Sequence, residues 1–360
     1  MSGVVMSRRE LQILANCIHA GDTRYVHTSY PFYGLDLFTL DIKRPELKDI
    51  VSAKAFDSER LARRPSDRSV SADELPTYND LRTCLLTSGF LRYRNHDEAA
   101  RRLYGLREEA KDPNKRARPV FVGVDTNILY YRFLSRTMPM RDPDTGRTVE
   151  AGDFRYVLSD VVRVEVDSRI THKYSRVEID ALGTLFERKE LLREFRNASG
   201  RRERAAKLAF NEMAYLMAEL RALRVRGTPV RDKEMNDIGI ARSYGEWASE
   251  EDHDVLLLTA DEDMMNHART SELMALQLEY PHEVPRHGRL DPWAVSDLLY
   301  DLTVTFGALS LDNAGVTLLG EWGGKTSTDY SKEHVKALFE DDGARAEVER
   351  QLGLCRAVLD

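Results

Sequence analysis

Five carboxylates carry most of the chemistry this sequence can offer. Asp125 closes the run VFVGV as the first residue of DTN, and Asp261 and Asp263 follow the run VLLLT in the phrase TADED. Each run is short, continuous and apolar, the pattern of a strand buried on both faces. In an open parallel sheet the ligand crevice lies beyond the carboxyl ends of such strands. Glu165 stands among Val161, Val162, Val164 and Val166 in LSDVVRVEVDSRI, and Asp237 stands at the first turn of a helix in EMNDIGIA. An acid after a strand also serves as a helix N-cap, and Glu165 and Asp237 taken singly read equally well as solvated or capping acids. Recurrence at two strand ends favours a site. Hard oxygen donors of this kind suit Mg²⁺ or Mn²⁺. Without a cation, adjacent carboxylates repel one another and their pKa values rise.

Thr126, Asn127 and Thr259 are the polar neighbours suited to orienting these acids or contacting a phosphate, and Thr259 is equally able to cap backbone. Nucleophilic chemistry has no comparable support: His172, His253 and His267 lack motif context, and neither run is followed by a glycine-rich phosphate loop. The three cysteines, Cys17, Cys84 and Cys355, are far apart and form no CxxC pair, which argues against a disulfide framework or a zinc site and fits a reducing cytoplasm.

The elements that must position the acids follow from the pattern around them. From Val120, strand-like runs alternate with helical stretches, which predicts an α/β fold with a central parallel sheet and helices on both faces. Helices are expected around Ile128–Arg136, over Ser159–Tyr174, over Val177–Leu223 with a break near Ser199-Gly200, and over Asn236–Trp247, where Ile240, Ala241, Tyr244 and Trp247 share a face. A further strand is expected near Leu276–Glu279. The basic segment Lys111–Arg118 before Pro119 reads as a linker. It divides a mixed α+β segment, 1–116, from a central domain, 117–285, and a helical and hairpin extension, 286–360. In the first segment Tyr30–Leu40 is strand-like, Asp57–Asp73 reads as a loop, and Leu75–Leu106 reads as two helices joined near Gly89. In the last, a helix runs from Pro292 into Phe306, a hairpin is expected at VTLLGEWGG, and a final helix from Ser331.

With 360 residues, 42% of them hydrophobic and 31% charged, the chain is long enough for two or more domains with real cores. No apolar run approaches the roughly 18 residues of a membrane span, and nothing reads as an export signal, so a cytoplasmic protein without a membrane partner is expected. The 53 basic and 60 acidic residues give a net charge of -7, which excludes a uniformly positive surface but allows local patches. Between Arg188 and Lys207 eight basic residues face three acidic ones, including Arg201, Arg202 and Arg204, and Arg92–Arg118 has nine against five with Tyr93 and Tyr104 interleaved. Either patch is a solvated helix face or a phosphate-binding surface.

Asp125, Glu165, Asp237 and Asp261, in that order and on those elements, resemble the catalytic quartet of the PIN-domain nucleases. The likeness covers about Pro119–Pro281 and rests on VGVDTNIL, LSDVVRVEVDSRI, NDIGIA and LLLTADEDM. Asp160, Asp167 and Glu178 compete with Glu165 for its place. The insertion RDPDTGRTVEAGD, the long stretch between Glu165 and Asp237 and the added terminal segments set the chain apart from compact members. The resemblance implies a three-layer α/β/α fold in a larger multidomain protein and a metal-dependent ribonuclease. Asp125, Glu165, Asp237 and Asp261 would hold Mg²⁺ or Mn²⁺, with Asp263 as an outer ligand or water-positioning group. Thr126, Asn127, Thr259, Arg201, Arg202 and Arg204 would contact RNA. It also makes a homodimer an expectation. The alternative is a module of weak or absent activity that binds RNA or a protein partner. A phosphatase of the haloacid dehalogenase type would need a second aspartate at the position of Asn127.

Overall fold

The computed structural model describes residues 3–359 apart from 22, 66–70, 113, 115–117, 171–172 and 231. Its chain is mixed α/β and divides into two compact units, one made of Met1–Leu91, Thr171–Ala205 and Glu283–Asp360, the other of Arg92–Ile170 and Ala206–His282. These bounds differ from the expected division into 1–116, 117–285 and 286–360. Strands from the two ends of the chain share one antiparallel sheet of eight: Val4–Ser7 pairs with His334–Phe339, and Tyr25–Tyr30 with Ala308–Leu311. The termini therefore build a single unit, not two extensions. Partners so remote in sequence leave no local signal. The helix Ala294–Phe306, buried at every position except Asp297, packs on that sheet.

The other unit carries five parallel strands: Val120–Val124, Arg155–Ser159, Leu223–Val225, Asp254–Thr259 and Met274–Gln277. In space the order is fifth, fourth, first, second, third. Val255 lies opposite Phe121 and Leu258 opposite Val124, so the two apolar runs are neighbours in the middle of the sheet. That placement explains their composition, because every residue from Val120 to Val124 and from Val255 to Thr259 is buried. The second and third strands escaped the sequence reading because RYVLS is mixed and LRV is short. From the first strand the chain moves outward one way to the second and third, and the fourth and fifth lie on the other side. The switch point of the sheet thus falls between the first and fourth strands.

The helix Lys233–Glu250 holds this centre together. Asp232 caps it by accepting from the Met235 amide, and Ile240, Ala241 and Tyr244 are its buried face, with Trp247 edge-on to Phe121 at 5.1 Å. The Tyr244 hydroxyl donates to the Val124 carbonyl at 2.9 Å and accepts from the Ser159 amide at 3.1 Å, tying the ends of the first two strands. Gly123 makes room for it: a Cβ there would meet the tyrosine ring at 3.1 Å.

Several boundaries differ from expectation. The helix after the first strand is only Thr126–Tyr130, ended where Arg132 turns left-handed at φ 48°. The next stops at Asp167. The long helical stretch is Arg176–Leu185, a tight turn at Lys189–Phe195 and Arg201–Ala218, with the break at Gly200 as expected. Ala53–Ala62 is a helix in part of the stretch read as a loop, and the two helices Tyr78–Thr87 and His96–Lys111 flank Gly89 as expected. His334–Phe339 is a strand and the last helix is Asp342–Leu359, while a hairpin does form around VTLLGEWGG, its VTLL arm pairing back to Ala308–Leu311. Much of the linker before Pro119 lies outside the described residues. Among those described, no helix is long and apolar enough to cross a membrane.

Candidate functional site

Asp125 is the first residue past the first strand, and its amide continues the ladder by donating to the Leu258 carbonyl at 3.0 Å. The side chain is buried, with Oδ1 accepting from the Thr126 amide at 2.6 Å and Oδ2 from the Thr259 hydroxyl at 2.7 Å and the Asn127 amide. The capping reading of this aspartate is therefore correct as far as one oxygen goes. Burial nevertheless pushes its carboxyl up to about 7, with Asp237 and Glu165 adding repulsion that the bonds from Thr259 and Thr126 only partly offset. An acid held in this condition is costly as a mere cap.

Asn127 and Thr259 extend the network across the switch point. Asn127 Oδ1 accepts from the Ala260 amide at 2.8 Å, and Thr259 Oγ1 accepts from the Asp261 amide at 2.9 Å. Asp261 then caps the helix Glu262–Thr270 by accepting from the Asp263 amide. Thr126 reaches the other way and donates its hydroxyl to Glu165 Oε2 at 2.8 Å, while Arg169 holds Oε1 at 3.0 Å. The helix Asp160–Asp167 buries Val161, Val162 and Val166, leaving Glu165 on its flank. Asp237 comes from the second turn of Lys233–Glu250.

Asp125, Glu165, Asp237 and Asp261 all line one cleft of about 700 Å³, within the size range of small-molecule and cofactor sites. The competitors of Glu165 are elsewhere: Asp160 pairs with Arg224, and Glu178 closes a capping box with Ser175. Four oxygen-donor side chains fit Mg²⁺ or Mn²⁺ in chemical type. As they stand, no group of three or more His, Cys, Asp or Glu side chains among the described residues is arranged to hold a metal ion.

Other expected site residues are placed differently. Asp263 is exposed and does not line the cleft, whereas Glu262 does. Thr259 is fully buried behind Asp125, so it orients the acid and cannot touch a ligand. Thr126 and Asn127 do line the cleft. Arg201, Arg202 and Arg204 belong to the other unit. Arg204 is buried and donates to the carbonyls of Val304, Ser199 and Thr305. Arg201 grips Asp80 at 2.8 Å and Arg202 pairs with Asp73. These three arginines are thus taken up by partners within their own unit. Tyr93 is buried against Phe133, and His253 stacks on Phe121 at 4.9 Å; neither lines this cleft. His172 lies outside the described residues.

The cleft also takes Arg94, Tyr130, Tyr131, Arg169, Tyr280 and His282, none of which the sequence reading singled out for this site. Arg94 lay within a basic stretch that was noted, and Tyr130 and Tyr131 follow DTNIL directly, but no spacing rule ties them to Tyr280. Compared with protein-family models, with curated proteins and with solved structures, the chain gives no significant match.

Proposed function

We propose that the cleft is the active site of a metal-dependent nuclease hydrolysing phosphodiester bonds, with RNA as substrate, in a larger relative of the PIN-domain nucleases. One observation carries the reading: four acids from four separate stretches of sequence converge on one cleft at the switch point of a parallel sheet. Asp125, Glu165, Asp237 and Asp261 would hold Mg²⁺ or Mn²⁺. When bound, such an ion lowers the pKa of water and offsets charge on the phosphate.

The protein's own groups have definite tasks in this scheme. Asn127 and Thr259 fix Asp125 from one side, and the Thr126 amide fixes it from the other. The Thr126 hydroxyl and Arg169 orient Glu165. With its carboxyl near 7, Asp125 exchanges a proton at its own oxygens close to neutrality, so it must lose that proton as a cation arrives. Arg94 and Arg169 moderate the negative charge of the acidic cleft that a phosphate would approach, Arg169 bonded to Glu165 and Arg94 3.7 Å from Glu279.

The test is cleavage of single-stranded RNA, structured RNA and DNA by wild type and by Asp125→Asn, with Mg²⁺, with Mn²⁺ and with EDTA. Cleavage is expected only from wild type with a divalent ion. Equal cleavage by both proteins would show that this cleft is not the source of activity. Binding by both with cleavage by neither would establish the binding-module alternative.

A further inference from the structure

The acids account for the floor of the cleft but not for its wall. Tyr131 and Tyr280 line it together, their ring centroids 5.0 Å apart and their planes tilted by 31°. Both are half-buried, so each ring keeps exposed surface. Tyr131 follows the short helix after Asp125, and Tyr280 lies just beyond the fifth strand.

Both presenting segments are pinned. Directly after Tyr131, Arg132 is buried in a left-handed conformation, and the Ser135 amide and hydroxyl both donate to the buried Glu212, the amide at 2.9 Å. On the other side Asn95 clamps the exit of the fifth strand. Its Nδ2 donates to the Gln277 carbonyl at 2.8 Å, and its Oδ1 accepts from the Glu279 amide at 3.0 Å. Aromatic surface held this way loses little freedom when a ligand arrives.

A cleft that combines acids for a hydrated cation, two arginines and a fixed aromatic pair matches a ligand with phosphate and a flat ring. We propose that the Tyr131–Tyr280 pair is a stacking platform for an unpaired nucleobase. Resting on the nuclease reading, this inference adds a subsite for the base of the substrate. A duplex keeps its bases stacked on one another and has no ring face to offer, whereas a single strand does.

The experiment uses full-length Asp125→Asn protein with Mg²⁺ and two fluorescein-labelled probes of equal length: a short oligouridylate, and an abasic strand with the same phosphates. Stacking of one base predicts that the oligouridylate binds about fivefold to a hundredfold tighter than the abasic strand. Adding Tyr131→Ala and Tyr280→Ala should bring the two affinities together, and Tyr131→Phe with Tyr280→Phe should keep them apart. Equal affinities at the outset, or a preference that survives the double alanine change, would overturn the platform. Because the probe comparison needs no tyrosine variant, misfolding of the alanine protein cannot hide the answer. Cleavage by wild type without a base preference would leave the nuclease standing and the platform refuted, and a base preference without cleavage would do the reverse.

Discussion

Asp125 gives the sharpest quantitative test of the site, because its burial is unfavourable to the folded protein. In the unfolded chain its carboxyl titrates near 3.8, and in the fold it titrates near 7. The folded state therefore keeps a proton that the unfolded state has lost between those values, and stability falls as pH rises through that window. At about pH 8 the full penalty applies. A shift of about three units corresponds to about 4 kcal/mol as an upper bound. Asp125→Asn removes the charge but puts an NH₂ group where an oxygen now accepts from either the Thr126 amide or the Thr259 and Asn127 side chains. One lost bond costs about 1 kcal/mol.

The variant should thus be more stable than wild type by about 1–3 kcal/mol at about pH 8 in EDTA. Near pH 4, where the wild-type acid is already neutral, it should be less stable by about 1 kcal/mol. Paired urea melts across that range read the change of sign directly. Added Mn²⁺ should stabilise wild type at the higher pH and leave the variant unmoved. A variant that is less stable at every pH, by a constant amount, would show that Asp125 is a structural cap and would remove the physical basis of the site.

Three other outcomes follow from the packing. Arg204→Gln should lower stability by about 3 kcal/mol or more in denaturant melts, since it strips buried carbonyls of their donor, and should leave the salt dependence of nucleic-acid binding unaltered. A stable variant with a flattened salt slope would return this arginine to the ligand. Gly123→Ala should cost about 1–3 kcal/mol, because Tyr244 is bonded at its hydroxyl and has little freedom to retreat; an unchanged melting midpoint would show that the ring moves aside. Thr126→Val keeps the helix start but frees Glu165 from its hydroxyl donor, so metal-dependent cleavage should fall about tenfold with little change in melting temperature, and full activity would place Glu165 outside the reaction.

The site was legible in the sequence where chemistry coincided with a strong local pattern. VFVGV and VLLLT announce buried strands, and the acid after each could be read without coordinates. The parallel pairing of those strands followed from the helices between them. What could not be read was long-range satisfaction of charge. Arg201, Arg202 and Arg204 look like a basic patch in one dimension, but their partners Asp80, Asp73 and Val304 come from distant segments. The Tyr131–Tyr280 stack was hidden for the same reason, as was the antiparallel sheet shared by the two ends of the chain.

That shared sheet makes the order of synthesis matter. Val4–Ser7 is made well before its hydrogen-bonding neighbour His334–Phe339, and all five strands of the parallel sheet are complete by Gln277, between the two. A nascent chain can therefore finish the unit that carries the cleft while Val4–Ser7 waits with an unpaired edge, the situation in which chaperones guard against aggregation. Fragments cut at 117 and 285 would carry Thr171–Ala205 away from the sheet it belongs with, so recombinant pieces bounded there should express poorly. A permuted chain in which His334–Phe339 shortly precedes Val4–Ser7 would let the two strands meet early.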